Sequence, residues 1–206
     1  MNGVTKICVA RHGETDWNVA GKLQGWTDVP LNDNGRRQAD ELSETLAGFG
    51  FSHICTSPLR RAAETAEIIA SRLNLAAPTC HEGLKERNFG IVQGRLKEEL
   101  SASHPRLLLE ILRRNPACHF DEGESLDGFS DRVLAALTDI ARQNPGARVL
   151  VITHGWVMDV VTRHIGNLPR DAILGMKRKN GECVWVGVCR RSTIFEIDCS
   201  ASEYFA

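Results

Sequence analysis

The chain has 206 residues, of which 42% are hydrophobic and 25% are charged, and its formal net charge is −1. This composition is typical of a globular protein with a buried core, and the length predicts one domain over residues 1–206. The small net charge argues against broad binding to nucleic acid or to an anionic membrane, although a local pocket could still bind a small anion. No secretory signal or membrane-length apolar segment is found, so we expect a cytoplasmic protein without a membrane partner.

The cysteines and histidines do not form a metal-binding or disulfide pattern. The seven cysteines are odd in number and contain no Cys-x-x-Cys pair. Reduced thiols that fill the core are therefore expected. No two histidines share a predicted helical face with a carboxylate, so no metal site is expected.

Short apolar runs alternate with amphipathic runs along the chain. In chain order they predict a strand at 7–10, a helix at 34–47, a strand at 52–56, a helix with Ser57 as N-cap and Pro58 as first residue, a helix at about 96–112, a helix capped by Ser125 and stopped at 144–146, a strand at 148–153, a helix at 156–164, and antiparallel strands at 183–189 and 192–198 across a turn at 190–191. This alternation predicts an α/β fold, a three-layer α/β/α sandwich with a mostly parallel central sheet.

Cationic side chains follow three of the predicted strands. Arg11 and His12 follow the first strand, Arg60 and Arg61 open the helix after the second, and His154 follows the third. Because ligands of open α/β sheets bind beyond the carboxyl ends of the strands, these groups should face one crevice. Such a cluster needs an anion to neutralise it, and arginine binds phosphate oxygens in a planar, bidentate manner.

A histidine in this crevice could act as a nucleophile towards phosphorus. A neutral imidazole presents one nitrogen lone pair when its other nitrogen keeps its proton, usually in a hydrogen bond to a carbonyl oxygen. Phosphoryl transfer also needs charge stabilisation and a proton for the leaving group. The middle of the chain offers Glu82 and Glu86 as the proton donor.

Five segments of the chain carry a family pattern in the same order. They are residues 11–18 (RHGETDWN), 57–66 (SPLRRAAETA), 84–90 (LKERNFG), 123–126 (GESL) and 151–155 (VITHG). Residues 24–25 (QG) and 28–32 (DVPLN) add to the first segment. From about residue 5 to 165 the chain resembles the histidine phosphatase superfamily (branch 1), which contains the cofactor-dependent phosphoglycerate mutases and their phosphatase relatives.

The resemblance implies a phosphoglycerate mutase-like fold and a covalent mechanism. His12 would be the nucleophile and would become a phosphohistidine. The acid segment selects Glu86 over Glu82, and this carboxyl group would protonate the departing alkoxide and then activate water. No cofactor is implied, and the partner would be a small phosphorylated metabolite.

The same resemblance implies which residues hold the phosphoryl group. Arg11, Arg61 and His154 would bind its oxygens. The arginine of the family motif precedes alanine, which selects Arg61 over Arg60. The implied substrate-binding residues are Asn18, Gln24, Gly25, Gly155 and Trp156.

Two catalytic outcomes share this set of residues. Mutases of the family carry a much longer insertion after the acid segment, whereas residues 95–122 form a short one, which we expect to act as a substrate-selecting lid. A short lid should admit water, so we favour a phosphomonoester hydrolase. The alternatives are a cofactor-dependent phosphoglycerate mutase, which is an isomerase, and a non-catalytic phosphate-binding regulatory module. The last is disfavoured because every expected catalytic position is filled.

Several basic residues can be interpreted in two ways from the sequence. The insertion carries four, which could select the substrate or form a solvated helix face: Arg95, Lys97, Arg113 and Arg114. The run Lys177-Arg178-Lys179 is interpreted as a solvated loop. The sequence also leaves open a homodimer in which the C-terminal strands pair between subunits.

Overall fold

The computed structural model describes residues 3–189 and 192–197. Six strands and seven α-helices occur in this part of the chain. The strands are β1 (Thr5–Arg11), β2 (His53–Thr56), β3 (Thr79–Cys80), β4 (Arg148–Thr153), β5 (Cys183–Val188) and β6 (Ile194–Glu196). The helices are α1 (Asp16–Val19), α2 (Asp33–Leu46), α3 (Arg60–Arg72), α4 (Lys97–Ser103), α5 (Pro105–Leu112), α6 (Leu126–Gln143) and α7 (Gly155–Ile165).

The six strands form one sheet in the order β3-β2-β4-β1-β5-β6. The first four strands of this order are parallel to their neighbours, whereas β5 is antiparallel to both β1 and β6. β1 and β4 are central, and their register pairs Arg11 with Thr153. The carboxyl ends of these two strands therefore lie side by side, and they carry His12 and His154 immediately beyond them.

Alternate residues of the central strands serve two separate cores, which makes the fold three-layered. Ile7 and Val9 of β1 pack with apolar residues of α6 and α7, whereas Cys8 and Ala10 pack with those of α2 and α3. All four side chains are fully buried. Both faces of a parallel sheet must be covered in this way, and burying each large aliphatic side chain contributes about 1.5–3 kcal/mol. The predicted α/β/α sandwich with a mostly parallel sheet is confirmed.

Two predicted helices differ from the observed ones. The helix after β2 begins at Arg60 rather than at Pro58, because Leu59 is extended (φ −67°, ψ 130°). The predicted helix at 96–112 is two helices that meet at His104, whose φ of −141° and ψ of 59° are not helical. Pro105 explains this break, because proline has no N–H to donate and disfavours helical geometry in the residue before it.

The predicted C-terminal strand pair is present, and it lies at an edge of the sheet. β5 and β6 are antiparallel, with Val188 opposite Ile194. The predicted turn at 190–191 and the end of the second strand at residue 198 lie outside the described residues. Pairing of this edge between two subunits stays a prediction. Within the described ranges, no α-helix combines the length and the apolar character that a bilayer crossing requires.

Candidate active site

A cavity of about 690 Å³ opens beyond the carboxyl ends of β1 and β4. Nine of the ten site residues expected from the sequence line it, namely Arg11, His12, Asn18, Gln24, Gly25, Arg61, Glu86, Gly155 and Trp156. The tenth, His154, lies directly behind His12, and the centroids of the two imidazole rings are 5.1 Å apart. The fold therefore brings residues from both ends of the chain to one place.

Hydrogen bonds hold both the imidazole ring of His12 and the backbone around it. Its Nδ1 lies 2.6 Å from the carbonyl oxygen of Gly13, which favours a proton on Nδ1 and a lone pair on Nε2. Asn180 donates to the carbonyl oxygen of His12 (2.7 Å), and the Gly13 amide donates to Thr65 (3.1 Å). Burial, followed by the charges of Arg61 and Arg11, lowers the pKa of His12 well below 6.5. The imidazole is therefore neutral at pH 7 and able to act as a nucleophile.

Arg61 is the arginine of the tandem pair that faces the cavity. Its side chain is buried, and its Nε lies 3.3 Å from Nε2 of His12. The guanidinium also donates to the carbonyl oxygens of Gly25 (2.8 Å) and Thr27 (3.0 Å), so its direction is fixed. Burial lowers the pKa of Arg61 to about 10, which still leaves it charged at neutral pH. Arg60, by contrast, is exposed.

His154 is buried behind His12, and its ring is oriented by a serine. Its Nε2 lies 2.8 Å from Oγ of Ser57. Burial and then the charge of Arg61 lower the pKa of His154 well below 6.5. The sequence analysis assigned Ser57 as a helix N-cap, which is wrong. The hydroxyl is used instead to orient this histidine, at the point where β2 leads towards α3.

Three buried polar atoms of the site have no hydrogen-bond partner among the described residues. They are Nε of Arg11, Oε1 of Gln24 and Nδ1 of His154. Buried polar groups are nearly always hydrogen-bonded, since leaving one unpaired costs about 1–3 kcal/mol. The three atoms belong to residues of different segments that meet at one place. This arrangement suits a small polar ligand that supplies the missing partners.

Glu86 is a buried carboxyl group of the cavity wall, next to the first residues of α7. Its oxygens accept hydrogen bonds from the amides of Arg87 (2.9 Å) and Trp156 (3.4 Å). Burial raises the pKa of Glu86 and outweighs these hydrogen bonds and the nearby arginine charges. A carboxyl group of this kind can keep a proton and donate it. Glu82 is exposed and forms an ion pair with Lys85.

Hydrogen bonds of two arginines hold the backbone of the segment that carries Glu86. Arg87 donates to the carbonyl oxygens of Pro116 (2.7 Å) and Cys118 (2.9 Å). Arg132 forms an ion pair with Glu124 (2.7 Å) and donates to the carbonyl oxygen of Lys85 (3.0 Å). Because the backbone is held on both sides and two amides donate to the carboxylate, the position of Glu86 is fixed by its surroundings.

Glu14 also lines the cavity, and two asparagine side chains hold its carboxylate. Its Oε1 accepts from the side-chain amides of Asn32 and Asn34, both at 3.0 Å, and these bonds lower its pKa.

Asn18 has a structural role in addition to lining the cavity. Its Oδ1 accepts from the amide of Thr15 (3.1 Å) and completes the N-terminal cap of α1.

A second group of cations lines the far wall of the cavity. From the sequence, the roles of Lys97 and Arg114 were left open, and the position of Lys177 at the cavity was missed. Lys97 and Arg114 come from the 95–122 insertion, and Lys177 comes from the loop after α7. Burial, then Lys177 and Arg114, lowers the pKa of Lys97. Arg95 is exposed, so only part of the basic surface of the insertion faces the cavity.

The prediction that Lys177-Arg178-Lys179 is a solvated loop holds for Lys177 and Lys179, which are exposed, and is wrong for Arg178. Arg178 is buried and forms ion pairs with Asp159 and Glu182. Its neighbours Lys177 and Lys179 line the cavity. Asp159 also holds Arg114, with an Nε–Oδ2 distance of 2.7 Å. Asp159 on α7 is the residue that could have predicted this burial. Buried carboxylates are almost always paired, so a buried Asp159 needs a cation such as Arg178 beside it.

Comparisons with known proteins identify the family. The chain matches the sequence model of the histidine phosphatase superfamily (branch 1) over residues 7–196 and therefore belongs to that superfamily. It is 38% identical over 152 residues to a protein of Bacillus subtilis named uncharacterized phosphatase PhoE, covering 74% of this chain and 72% of that one. It is 39% identical over 155 residues to phosphoglycerate mutase-like protein 4 of Arabidopsis thaliana, covering 74% and 67% respectively.

Solved structures show the same fold. YhfR of Bacillus stearothermophilus superposes with a TM-score of 0.85 at 28% identity, covering 98% of this chain and 100% of that one. A phosphoserine phosphatase of Entamoeba histolytica, solved in complex with 3-phosphoglyceric acid, superposes with a TM-score of 0.78 at 28% identity, with the same coverage. The superfamily thus includes both phosphatases and mutase-like proteins among the relatives of this chain.

Proposed function

We propose that this protein is a phosphomonoester hydrolase that acts through a phosphohistidine intermediate, without a metal ion, on a small phosphorylated metabolite. The observation that carries the proposal is the geometry at His12. Its Nδ1 is bonded to a carbonyl oxygen, which leaves the lone pair on Nε2 at the cavity wall, 3.3 Å from Nε of Arg61. A neutral, oriented imidazole beside a fixed cation is what attack on a phosphoryl group requires.

In the first step, Nε2 of His12 attacks phosphorus as the bond to the ester oxygen breaks. Arg11, Arg61 and His154 would stabilise the negative charge on the three equatorial oxygens. Glu86 would give its proton to the departing oxygen and release the alcohol. The raised pKa of Glu86 supports this role, because it favours the protonated acid that the step needs.

In the second step, water attacks the phosphohistidine. Glu86, now a carboxylate, would take a proton from that water, and the phosphorus–nitrogen bond would break. Inorganic phosphate leaves, and both His12 and Glu86 return to their starting protonation states. We propose that none of these steps uses a metal ion. Within the described ranges, no group of three or more His, Cys, Asp or Glu residues is arranged to hold a metal ion.

A hydrolase is favoured over a mutase by the form of the 95–122 insertion. Only Lys97 and Arg114 of this segment reach the cavity wall, and residues 101–106 between them are exposed. An insertion of this kind leaves room for water to reach the phosphohistidine. Mutase activity is the second candidate, because one relative is named a phosphoglycerate mutase-like protein.

The substrate class follows from the cationic far wall. A phosphate at His12 would already be neutralised by Arg11 and Arg61, and Arg114 is paired with Asp159, so Lys97 and Lys177 are in excess of what one phosphate needs. The related phosphoserine phosphatase binds 3-phosphoglyceric acid, which carries a carboxylate as well as a phosphate. We infer that the substrate of this protein carries a further negative group on its alcohol.

The test is a phosphate-release assay in EDTA with p-nitrophenyl phosphate, phosphoserine and 3-phosphoglycerate, alone and with catalytic 2,3-bisphosphoglycerate. Wild-type protein should release phosphate from at least one of them, and His12→Ala should lose that activity together with any acid-labile phosphoenzyme. The exposed His119 provides a matched control, because His119→Ala should retain wild-type rates.

Two outcomes would contradict the proposal. Undiminished turnover by His12→Ala would exclude this histidine as the nucleophile. Isomerisation of 3-phosphoglycerate without release of phosphate would show that the insertion excludes water, and the protein would then be a mutase.

A further inference from the structure

A second cavity, of about 460 Å³, adjoins the candidate active site. The two cavities share part of their walls, formed by Leu23, Lys97, Arg114, Trp156 and Lys177. Beyond this shared boundary the second cavity is mostly apolar. We name it the apolar annex, and its distinguishing side chains are Ile111, Leu112, Ile173 and Met176.

The annex brings together apolar side chains that the fold leaves exposed. Leu112 on α5 is 57% exposed, Ile173 is 52% exposed and Met176 is 45% exposed. These residues come from two separate segments, the insertion and the loop after α7. Scattered exposed apolar residues are ordinary, but a contiguous group beside a polar pocket is typical of a ligand-binding surface.

The charges at the boundary give a ligand in both cavities a defined direction. Lys97, Arg114 and Lys177 stand where the cavities meet, and Arg114 is held there by Asp159. The guanidinium of Arg114 also lies 5.1 Å from the ring centroid of Trp156. Anionic groups are therefore favoured on the catalytic side of the boundary, whereas the far side offers mostly apolar contact, beside the exposed side chain of Arg113.

We propose that the apolar annex binds an extended alkyl or aryl group carried by the alcohol part of the substrate. This inference rests on the proposed phosphatase function and extends it. The substrate would be an amphiphilic phosphomonoester, with its phosphate at His12, its further negative group beside Lys97 and Lys177, and its apolar end against Leu112 and Ile173.

The continuity of the two cavities favours this occupant over a second protein molecule. Five residues line both spaces, so a single ligand bound in one can extend into the other. A protein partner seated on the annex would instead cover Lys97, Arg114 and Trp156, which the substrate itself must pass.

The experiment uses a series of primary n-alkyl phosphates, from ethyl to octyl phosphate, with wild-type protein. Each methylene group that enters the annex should lower KM by about two- to fourfold, from the free energy of burying one CH₂. The dependence should level off once the chain is longer than the annex. A KM that is the same for ethyl and octyl phosphate would overturn the proposal.

A pair of double variants locates the effect. Leu112→Ser with Ile173→Ser should flatten the dependence on chain length and leave turnover of ethyl phosphate unchanged. Leu109→Ser with Leu168→Ser is the matched control, because both leucines are exposed and neither lines the annex. The control should keep the wild-type dependence. Equal behaviour of the two double variants would contradict the assignment.

Binding to His12→Ala separates this inference from the proposed function. Titration calorimetry with ethyl and octyl phosphate measures the annex without any turnover. If His12→Ala binds octyl phosphate more tightly than ethyl phosphate but the wild-type protein hydrolyses no phosphomonoester, the annex is supported and the phosphatase is refuted. A change in sedimentation of the Leu112→Ser, Ile173→Ser variant without any change in chain-length dependence would assign the surface to a second copy and overturn the proposal.

Discussion

The two walls of the candidate active site are built in different ways. The wall at the strand ends holds His12, Arg61 and His154, all buried, and each makes a hydrogen bond that fixes its direction. The far wall comes from the 95–122 insertion and the loop after α7. It carries exposed apolar side chains and a partly buried lysine, Lys97.

This difference separates two physical tasks. Phosphoryl chemistry needs charges and lone pairs held in advance, and elements of the central sheet can hold them rigidly. Recognition of the alcohol needs only complementary contact, which short helices and loops supply and which can vary without disturbing the fold. The unpaired polar atoms at the site, on Arg11, Gln24 and His154, are consistent with groups held ready for a ligand.

The sharpest test of the strand-end wall after His12 is Glu86→Gln. We expect it to slow hydrolysis of substrates with poor leaving groups by about 10²–10⁴-fold, because the departing alkoxide loses its proton donor. The loss should be smaller for p-nitrophenyl phosphate, whose leaving group needs little protonation. Steady-state kinetics on both substrates measure the ratio. Equal losses on both would argue against this carboxyl group as the acid.

The pH profile of the wild-type protein gives a check on the same group. Because burial raises the pKa of Glu86, kcat/KM for an alkyl phosphate should fall as pH rises through that pKa. Glu86→Gln should lose this alkaline limb. A limb that persists in the variant would have to come from another group.

The tandem arginines test whether the wall depends on direction as well as charge. Arg61→Ala should lower kcat by about 10²-fold or more, because charge stabilisation of the equatorial oxygens is removed. Arg60→Ala removes the same charge one residue away and should leave kcat near the wild-type value, since that side chain is exposed. Kinetics with p-nitrophenyl phosphate compare the two directly. A larger effect at Arg60 would reverse the assignment.

The far wall should respond in KM rather than in kcat. Lys97→Met is expected to raise KM for 3-phosphoglycerate by roughly three- to tenfold, the size of a partly screened charge contact, with little change for p-nitrophenyl phosphate. Arg95→Met changes a neighbouring exposed cation and serves as the control. If both variants behave alike on both substrates, the wall acts only through general electrostatic attraction.

The smallest expected effect is on stability. The folded-state pKa of His154 is well below 6.5, so the fold favours the neutral ring. The stabilisation is complete above about pH 6.5 and is lost as pH falls towards the folded-state pKa, with a slope of up to about 1.4 kcal/mol per pH unit for one histidine. His154→Gln should flatten the slope of the unfolding free energy between pH 6.5 and 5. Urea unfolding of this variant beside the exposed His104→Gln measures it, and identical slopes would contradict the assignment.

Much of the strand-end wall could be predicted from the sequence because its residues follow strands. An apolar run followed by Arg11-His12, and another followed by His154, indicates two strand ends, and parallel strands bring such ends to one edge. Arg61 and Glu86 were separated from Arg60 and Glu82 only by the family resemblance. Burial and hydrogen bonding distinguish them physically, and neither can be obtained from residue type.

Local sequence determined five of the six described strands and most of the helices, because the spacing of apolar residues follows the period of each element. The short elements β3 and α1 were not predicted. Contacts between residues that are far apart in the sequence were decided only by the tertiary structure. Ser57 could cap a helix or orient a histidine, and the distant His154 settles the choice. Arg178 could be solvated or buried, and Asp159 on α7 provides the partner that buries it. The apolar annex depends on two loops meeting, which no local pattern encodes.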